Sequence, residues 1–264
     1  MKILIIGGDS RMSTAAKELA RRGFSVETAG LVKGDNGHIQ DADVLLLPVP
    51  TTRDGKTVYA PFADREFLLS EIEAAAGTRM ILTCGAVFSG ENAVNYGALD
   101  SYSLLNAVPT AEGAIKLAIE HTDFTLWQSR ALVIGYGRVG KVLAERLRAM
   151  GCLVTVSARK DGDLALCETL GYETVKTGEI EKVLPFADII FNTVDARVIE
   201  DRDLRHTAAS LMIDLSSKGG FDPAEAQKRG ITALKAPGLP GKVAPVTAGK
   251  ILAKTVSQLV AHSI

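Results

Sequence analysis

What the chain lacks bounds it first. No apolar run among its 264 residues reaches the length a bilayer span requires, and the first residues already read as a strand rather than a signal peptide. Neither sign of charge dominates: 30 Lys and Arg stand against 31 Asp and Glu, so neither a nucleic-acid footprint nor a membrane-seeking face is expected. Cysteine is scarce. Cys84, Cys152 and Cys167 are well separated, which fits reduced thiols in a cytoplasm rather than a disulfide framework. The four histidines are scattered without metal-ligand spacing, and no structural metal is expected. The length suits two modest domains.

What is present is a repeated start. Residues 2–12 read KILIIGGDSRM and residues 130–140 read RALVIGYGRVG, 128 positions apart and aligned without gaps, with Gly23 matching Gly151. In the second copy Ala131–Ile134 is a short apolar run suited to a strand buried on both faces. Gly135, Gly137 and Gly140 follow as G-x-G-x-x-G, with Arg138 and Val139 between the last two, then an amphipathic stretch to Met150 and a second strand from Leu153. The first glycine makes the tight turn, the second admits a pyrophosphate to the backbone, and the third packs helix on strand. The free N–H groups of the helix start then meet the phosphates. In the first copy Asp9 replaces the second glycine and Met12 the third. A carboxylate and a Cβ at that point oppose pyrophosphate, so only the second unit is expected to hold a dinucleotide.

Strands alternate with helical stretches along the whole chain, the α/β pattern. They are expected near 2–6, 25–28, 44–49, 80–83 and 101–105, then near 131–134, 153–157, 172–175, 188–192, 211–214 and 231–234, with helices near 12–22 and 64–76. A linking helix is expected over 109–123, capped by Thr110, with Ala114, Leu117, Ala118 and His121 on one face. A last helix spans 248–261 and is positioned to return to the first domain. The fold class is α/β: two doubly wound Rossmann-like domains with parallel sheets joined by a helix. Residues 1–108 form the first domain, completed by 248–264, and residues 109–247 the dinucleotide-binding domain.

Cofactor choice is read from the end of the second strand, TVSARKDG at 155–162. An NAD site places Asp or Glu there for the ribose 2′-hydroxyl. Here stand Ser157 and Ala158, followed by Arg159 and Lys160: a serine and two cations suited to a 2′-phosphate. NADP is therefore expected rather than NAD, the alternative being a solvated basic turn with Asp161 turned inward. Thr193, Val194 and Asp214, where the strands near 188–192 and 211–214 end, complete the expected cofactor contacts.

The order of small α/β domain, linking helix, Rossmann domain and returning helix is similar to that of the 2-hydroxyacid dehydrogenases. More closely, the chain resembles, essentially end to end, the dipicolinate synthase A-subunit family of spore-forming bacteria. The resemblance is carried by IIGGDSRM at 5–12, LLPVPTT at 46–52, NAVPTAEGAIKLAIEHTDFT at 106–125, VIGYGRVG at 133–140 and APGLPGKVAPVTAGKILA at 236–253. One departure is DLSSKGG at 214–220, a residue shorter than the family's D-L-A-S-x-P-G-G and without its proline. The resemblance implies oxidation of 4-hydroxy-tetrahydrodipicolinate, or its dehydrated form, to dipicolinate with a nicotinamide cofactor, on a branch of the lysine pathway. It further implies a partner, the flavoprotein-like B-subunit of dipicolinate synthase, and action in the cytoplasm of the sporulating mother cell; a homo-oligomer is compatible with it.

A dicarboxylate calls for cations or N–H donors facing a cleft. Candidate substrate contacts are Asp9 and Arg11 in the altered turn, Thr51 and Thr52 after a strand end, and Thr110 and Glu112 at the linking helix. Each has a plainer reading: a solvated arginine, hydroxyls that cap a loop, a helix cap. Lys218 is the catalytic candidate, orienting a carboxylate or, if desolvated, moving a proton. An ordinary 2-hydroxyacid dehydrogenase is disfavoured because the stretch ITALKAPGLPGKVAP holds no histidine and position 218 is lysine. A non-catalytic cofactor-binding role beside a partner is the other alternative, and the intact glycines oppose a dead duplicate.

Overall fold

The computed structural model describes residues 1–35 and 37–262. It divides into two compact units, Met1–Asn106 with Pro240–Ile264, and Ala107–Leu239. The expected joints at 108/109 and 247/248 thus differ by two and eight residues from the observed divisions. Residues 263 and 264, part of the expected returning segment, lie outside the described residues.

The first unit runs β1 (Lys2–Ile6), α1 (Ser10–Arg21), β2 (Ser25–Ala29), β3 (Val44–Leu46), α2 (Leu69–Ala76), β4 (Met80–Thr83), β5 (Ala93–Asn95) and the start of α3 (Asp100–Glu120). Its sheet is parallel throughout, in the order β2-β1-β3-β4-β5. The second unit contains β6 (Arg130–Ile134), α4 (Arg138–Ala149), β7 (Leu153–Ala158), α5 (Asp161–Thr169), β8 (Glu173–Lys176), β9 (Ile189–Asn192), β10 (Leu211–Asp214), α6 (Pro223–Gln227) and β11 (Thr232–Lys235). Its parallel order, β8-β7-β6-β9-β10-β11, is the doubly wound arrangement of dinucleotide-binding folds. A short α7 (Leu239–Val243) and the long α8 (Pro245–Ala261) end the chain.

The central strands are apolar on both faces because helices or loops cover both, and Ile3–Ile6 and Ala131–Ile134 are fully buried. One core of the first unit joins Ile3, Ile5, Leu46 and Leu82 to Met12, Ala15 and Leu19 of α1 and to Leu252, Ala253, Val256 and Val260 of α8. Gly249 makes that helix pair close, since a Cβ there would meet the Arg11 carbonyl oxygen at 2.5 Å. On the opposite face Leu4, Leu45, Leu47, Ile72 and Ile81 form a second core.

Five local expectations are corrected. Residues 101–105 are helical, and the fifth strand is Ala93–Asn95 instead. The alternating SYSLL suits a strand, but Tyr102 packs edge-on to the buried Tyr96 at 5.3 Å while Leu104 and Leu105 face outward. The helix then continues through Pro109, so Thr110 lies mid-helix and is not its cap. Its buried stripe is Ala107, Ala111, Ala114 and Ala118, whereas His121 is exposed. β3 ends at Leu46 rather than 49 because Pro48 brings no N–H to the ladder. Residues 64–68 do not join α2: Val58 N–H donates to the Phe67 carbonyl at 2.9 Å, and Thr57 bridges Leu68 antiparallel. Among the described residues no helix is long and apolar enough to cross a membrane.

Candidate functional site

The turn between β6 and α4 has the three glycines in distinct roles. Gly135 has φ 99°, and a Cβ on it would meet Thr193 Oγ1 and Val194 Cγ1 at 2.6 Å. A Cβ at Gly140 would run into the Gly135 carbonyl, so only glycine lets α4 start so close to the strand. Gly137 is the opposite case: a Cβ there would meet nothing within 4 Å. Its lack of a side chain serves no protein contact and keeps the approach to the turn open. Gly137 is also the N-cap of α4 and supplies no side-chain cap, which leaves the helix end to an anionic ligand.

These residues border a cavity of about 620 Å³ lined by Gly135, Tyr136, Gly137, Lys141, Arg159, Lys160, Thr177, Thr193, Val194 and Asp195, among others. The volume and the uncapped turn fit a dinucleotide. Arg159 and Lys160 are exposed at its rim. Ser157 is not at the rim. It is fully buried, and its hydroxyl pairs with Thr177 Oγ1 at 2.9 Å, so Thr177 is the hydroxyl that reaches the cavity. Asp161, the residue an inward turn would offer to NAD, is engaged by Lys176 at 2.9 Å.

Asp214 is also displaced from the expected role. It is buried and accepts from Asn192 Nδ2, Ser216 N and Oγ, and Gly220 N at 2.6–3.0 Å. It therefore shapes the following turn rather than touching cofactor. Asp195, which the sequence reading missed, pins the same turn from the cavity side. Its Oδ1 accepts from Ser217 N at 2.7 Å, Ser217 Oγ at 2.9 Å and Lys218 N at 3.4 Å. Burial works against the Asp195 charge, but these donors outweigh it and hold the carboxyl below its ordinary range. With Gly219 N donating to Ser216 Oγ, every N–H from Ser216 to Gly220 is used inside the protein. The turn can thus offer an anion the Lys218 ammonium but not a backbone nest.

The candidate substrate residues are engaged within the protein, Asp9 and Arg11 with each other. Asp9 caps α1 through Arg11 N at 3.0 Å and pairs with the guanidinium at 2.7 Å, and Arg11 Nη2 also donates to the Val49 carbonyl. Arg11 is only 6% exposed, so the solvated-arginine reading is wrong as well. Desolvation opposes both charges, yet their mutual bonds hold the Asp9 carboxyl below and the Arg11 guanidinium above their ordinary values. Gly241 packs on this pair, where a Cβ would meet Arg11 Nε at 2.7 Å. Thr51 is fully buried, donating to the Pro48 carbonyl and accepting from Cys84 N. Thr52 closes a turn with Asp54 and Gly55 N. Glu112 is exposed, 3.6 Å from Arg146. Neither Thr51 nor Thr52 has a hydroxyl donor left for a carboxylate. Burial pushes the neighbouring Cys84 thiol up to about 11, which makes it a poor nucleophile. Among the described residues no group of His, Cys, Asp and Glu has the makings of a metal site.

Comparison with known proteins agrees with this division. Residues 2–90 match the family of dipicolinate synthase A-subunit N-terminal domains, and residues 111–202 match the NAD-binding domain of D-isomer-specific 2-hydroxyacid dehydrogenases. The second unit is therefore a nicotinamide-dinucleotide-binding domain. The chain is 34% identical to the dipicolinate synthase A-subunit of Bacillus subtilis, over 99% of this chain and 96% of that protein. The crystal structure of the dipicolinate synthase A-subunit from Bacillus halodurans superposes with a TM-score of 0.88 at 31% identity, covering 98% of this chain and 97% of the other. D-lactate dehydrogenase from Salmonella shares the fold alone, with a TM-score of 0.60 at 14% identity over 98% and 97% of the two chains. The chain belongs to the dipicolinate synthase A-subunit family and is an oxidoreductase.

Proposed function

We propose that the chain oxidises the cyclic dicarboxylate 4-hydroxy-tetrahydrodipicolinate, or its dehydrated form, to dipicolinate with NADP, together with the B-subunit in the sporulating mother cell. Family membership supports the substrate, and the absence of a carboxylate where β7 ends supports NADP. The observation that carries the cofactor choice is the pair Arg159 and Lys160 on the rim of a cavity that Thr177 also lines. Loss of water and of two hydrogens converts the substrate to the aromatic product, one hydrogen leaving as hydride and one as a proton. The cofactor, when bound, accepts the hydride.

The protein's own contribution is orientation and charge. Gly137 keeps the turn open, Thr193 and Val194 wall the cavity beside it, and the Asp195 and Asp214 carboxylates fix the turn that carries Lys218. In this proposal the Lys218 ammonium, on a backbone whose own donors are all committed, orients a substrate carboxylate. Release of the ring proton is thermodynamically easy because it completes aromatisation.

The test is NADPH formation from enzymatically generated substrate, by the chain alone and with the B-subunit. Turnover that follows the chain's concentration and falls at least tenfold in Lys218→Ala, with cofactor affinity unchanged, is expected on loss of a charge-assisted contact. Turnover that follows only the B-subunit would leave this chain a cofactor-holding partner.

A further inference from the structure

The first turn of α4 is charged against its own dipole. It holds Arg138 and, at its end, Lys141, with no acidic residue, although a helix N-terminus favours negative charge. The matching position of α1, 128 residues earlier, is Ser13. Lys141 lines the cofactor cavity with Arg159 and Lys160, and among the described residues none of these three forms an ion pair. Asp163 is the acid on the same wall, and Asp195 is committed to Ser217.

The place of the Lys141 ammonium is set by an aromatic ring. It stands 5.2 Å from the centroid of Tyr136, within cation–π range. Tyr136 is 8% exposed and packs edge-on against Tyr172 with centroids 6.5 Å apart. Burial, reinforced by the neighbouring Cys167 of α5, raises its phenol to about 12, so the ring stays neutral. Tyr136 therefore faces α5, and a lysine lying over it sits on the side of the turn where β7 runs into α5. That is the side of Arg159 and Lys160, away from the Thr193 wall.

We propose that Lys141 is a specificity-determining residue, the third cation of a seat for the ribose 2′-phosphate, with Tyr136 as the shelf that holds its stem and ammonium. This rests on the NADP reading above. The pyrophosphate is served by backbone N–H groups at Gly137 and the helix start, which leaves a side-chain cation farther along α4 for a second phosphate.

Calorimetric titration of the full chain with NADP and with NAD tests it. Wild type is expected to bind NADP at least tenfold more tightly, and Lys141→Gln to lose about tenfold in NADP affinity while NAD affinity stays within about twofold. Lys141→Arg should keep the preference, and Tyr136→Leu, checked for an unchanged melting temperature, should weaken it. Equal losses for both cofactors in Lys141→Gln would assign the residue to the pyrophosphate and overturn the proposal, as would no loss for either. A wild type that does not distinguish the cofactors would overturn the NADP reading itself, whatever the variants do.

Discussion

The two strand-to-helix turns share their flanking elements, and their difference shows what keeps one of them from being a phosphate site. Both strands, both helices and both closing glycines keep the 128-residue offset. So does a loop hydrogen bond: Gly7 N donates to Ala29 O and Gly135 N to Ser157 O, each at 2.8 Å. Around the second turn the protein leaves room. Around the first it fills the room with itself. Gly8 N donates to the Tyr59 carbonyl at 2.8 Å, and a Cβ on Gly7 would meet Ala60 and the Tyr59 oxygen within 3 Å. Asp9 supplies internally the negative charge that the helix start wants, and Arg11 neutralises it. Where the second turn leaves a phosphate site, the first holds a structural clasp.

The harshest way to break this comparison is Gly137→Asp. A Cβ there meets no protein atom within 4 Å, so the fold should survive, while charge and bulk stand where the pyrophosphate belongs. Cofactor binding is expected to fall by more than about a hundredfold, the loss of two or more charge-assisted contacts, as read by calorimetry. Unchanged affinity, or two cofactors per wild-type chain, would end the distinction between the turns.

Asp9→Asn attacks the clasp instead. Asparagine still caps a helix, but it leaves the buried Arg11 guanidinium without a counter-charge, at an expected cost of about 3 kcal/mol. Because the Asp9 carboxyl is held below its ordinary value of 3.8, its stabilisation is complete above that pH and is lost as the pH falls through the depressed value. Denaturant unfolding should therefore separate wild type and variant at neutral pH and bring them together in strong acid. A constant gap down to about pH 2 would show that the carboxylate's charge is not the source.

Arg159→Ala sharpens the second turn. One charge-assisted contact is worth roughly 1.5–3 kcal/mol, so NADP affinity should drop by about ten- to a hundredfold with NAD affinity almost unchanged. The smallest effect is expected from Asp161→Ala. Its ion pair with Lys176 is exposed, and such pairs contribute little. NAD affinity should be unaltered; a clear loss would mean that Asp161 does turn inward to the ribose.

The residues that were legible in the sequence are those whose role is local. Glycines at 137 and 140 act on their own turn, and the buried strands advertise themselves as apolar runs. The residues misplaced were those whose partner is far along the chain. Thr51 looked available until its hydroxyl met Cys84 N, 33 positions away. Ser157 looked like a phosphate ligand until Thr177 took its hydroxyl. Asp195 carried no sequence signal at all, since its partner turn begins 22 residues later. The helical start of α3 was hidden for a similar reason: five residues of alternating pattern cannot declare a period, and the contact of Tyr102 with Tyr96 decides it.

By itself the sequence determined the doubled α/β plan, which of the two turns stays open, and the basic end of β7, because each follows from spacing, side-chain size and charge within a few residues. Only the tertiary structure decided that Arg11 is a buried clasp rather than a ligand hand, that Asp214 and Asp195 together hold the Lys218 turn, and that Lys141 lies over Tyr136 in the cavity that Arg159 also lines. Hydrogen-bond donors and charges are assigned by whatever reaches them first in space, and in a parallel sheet the strand ends that meet are distant in sequence.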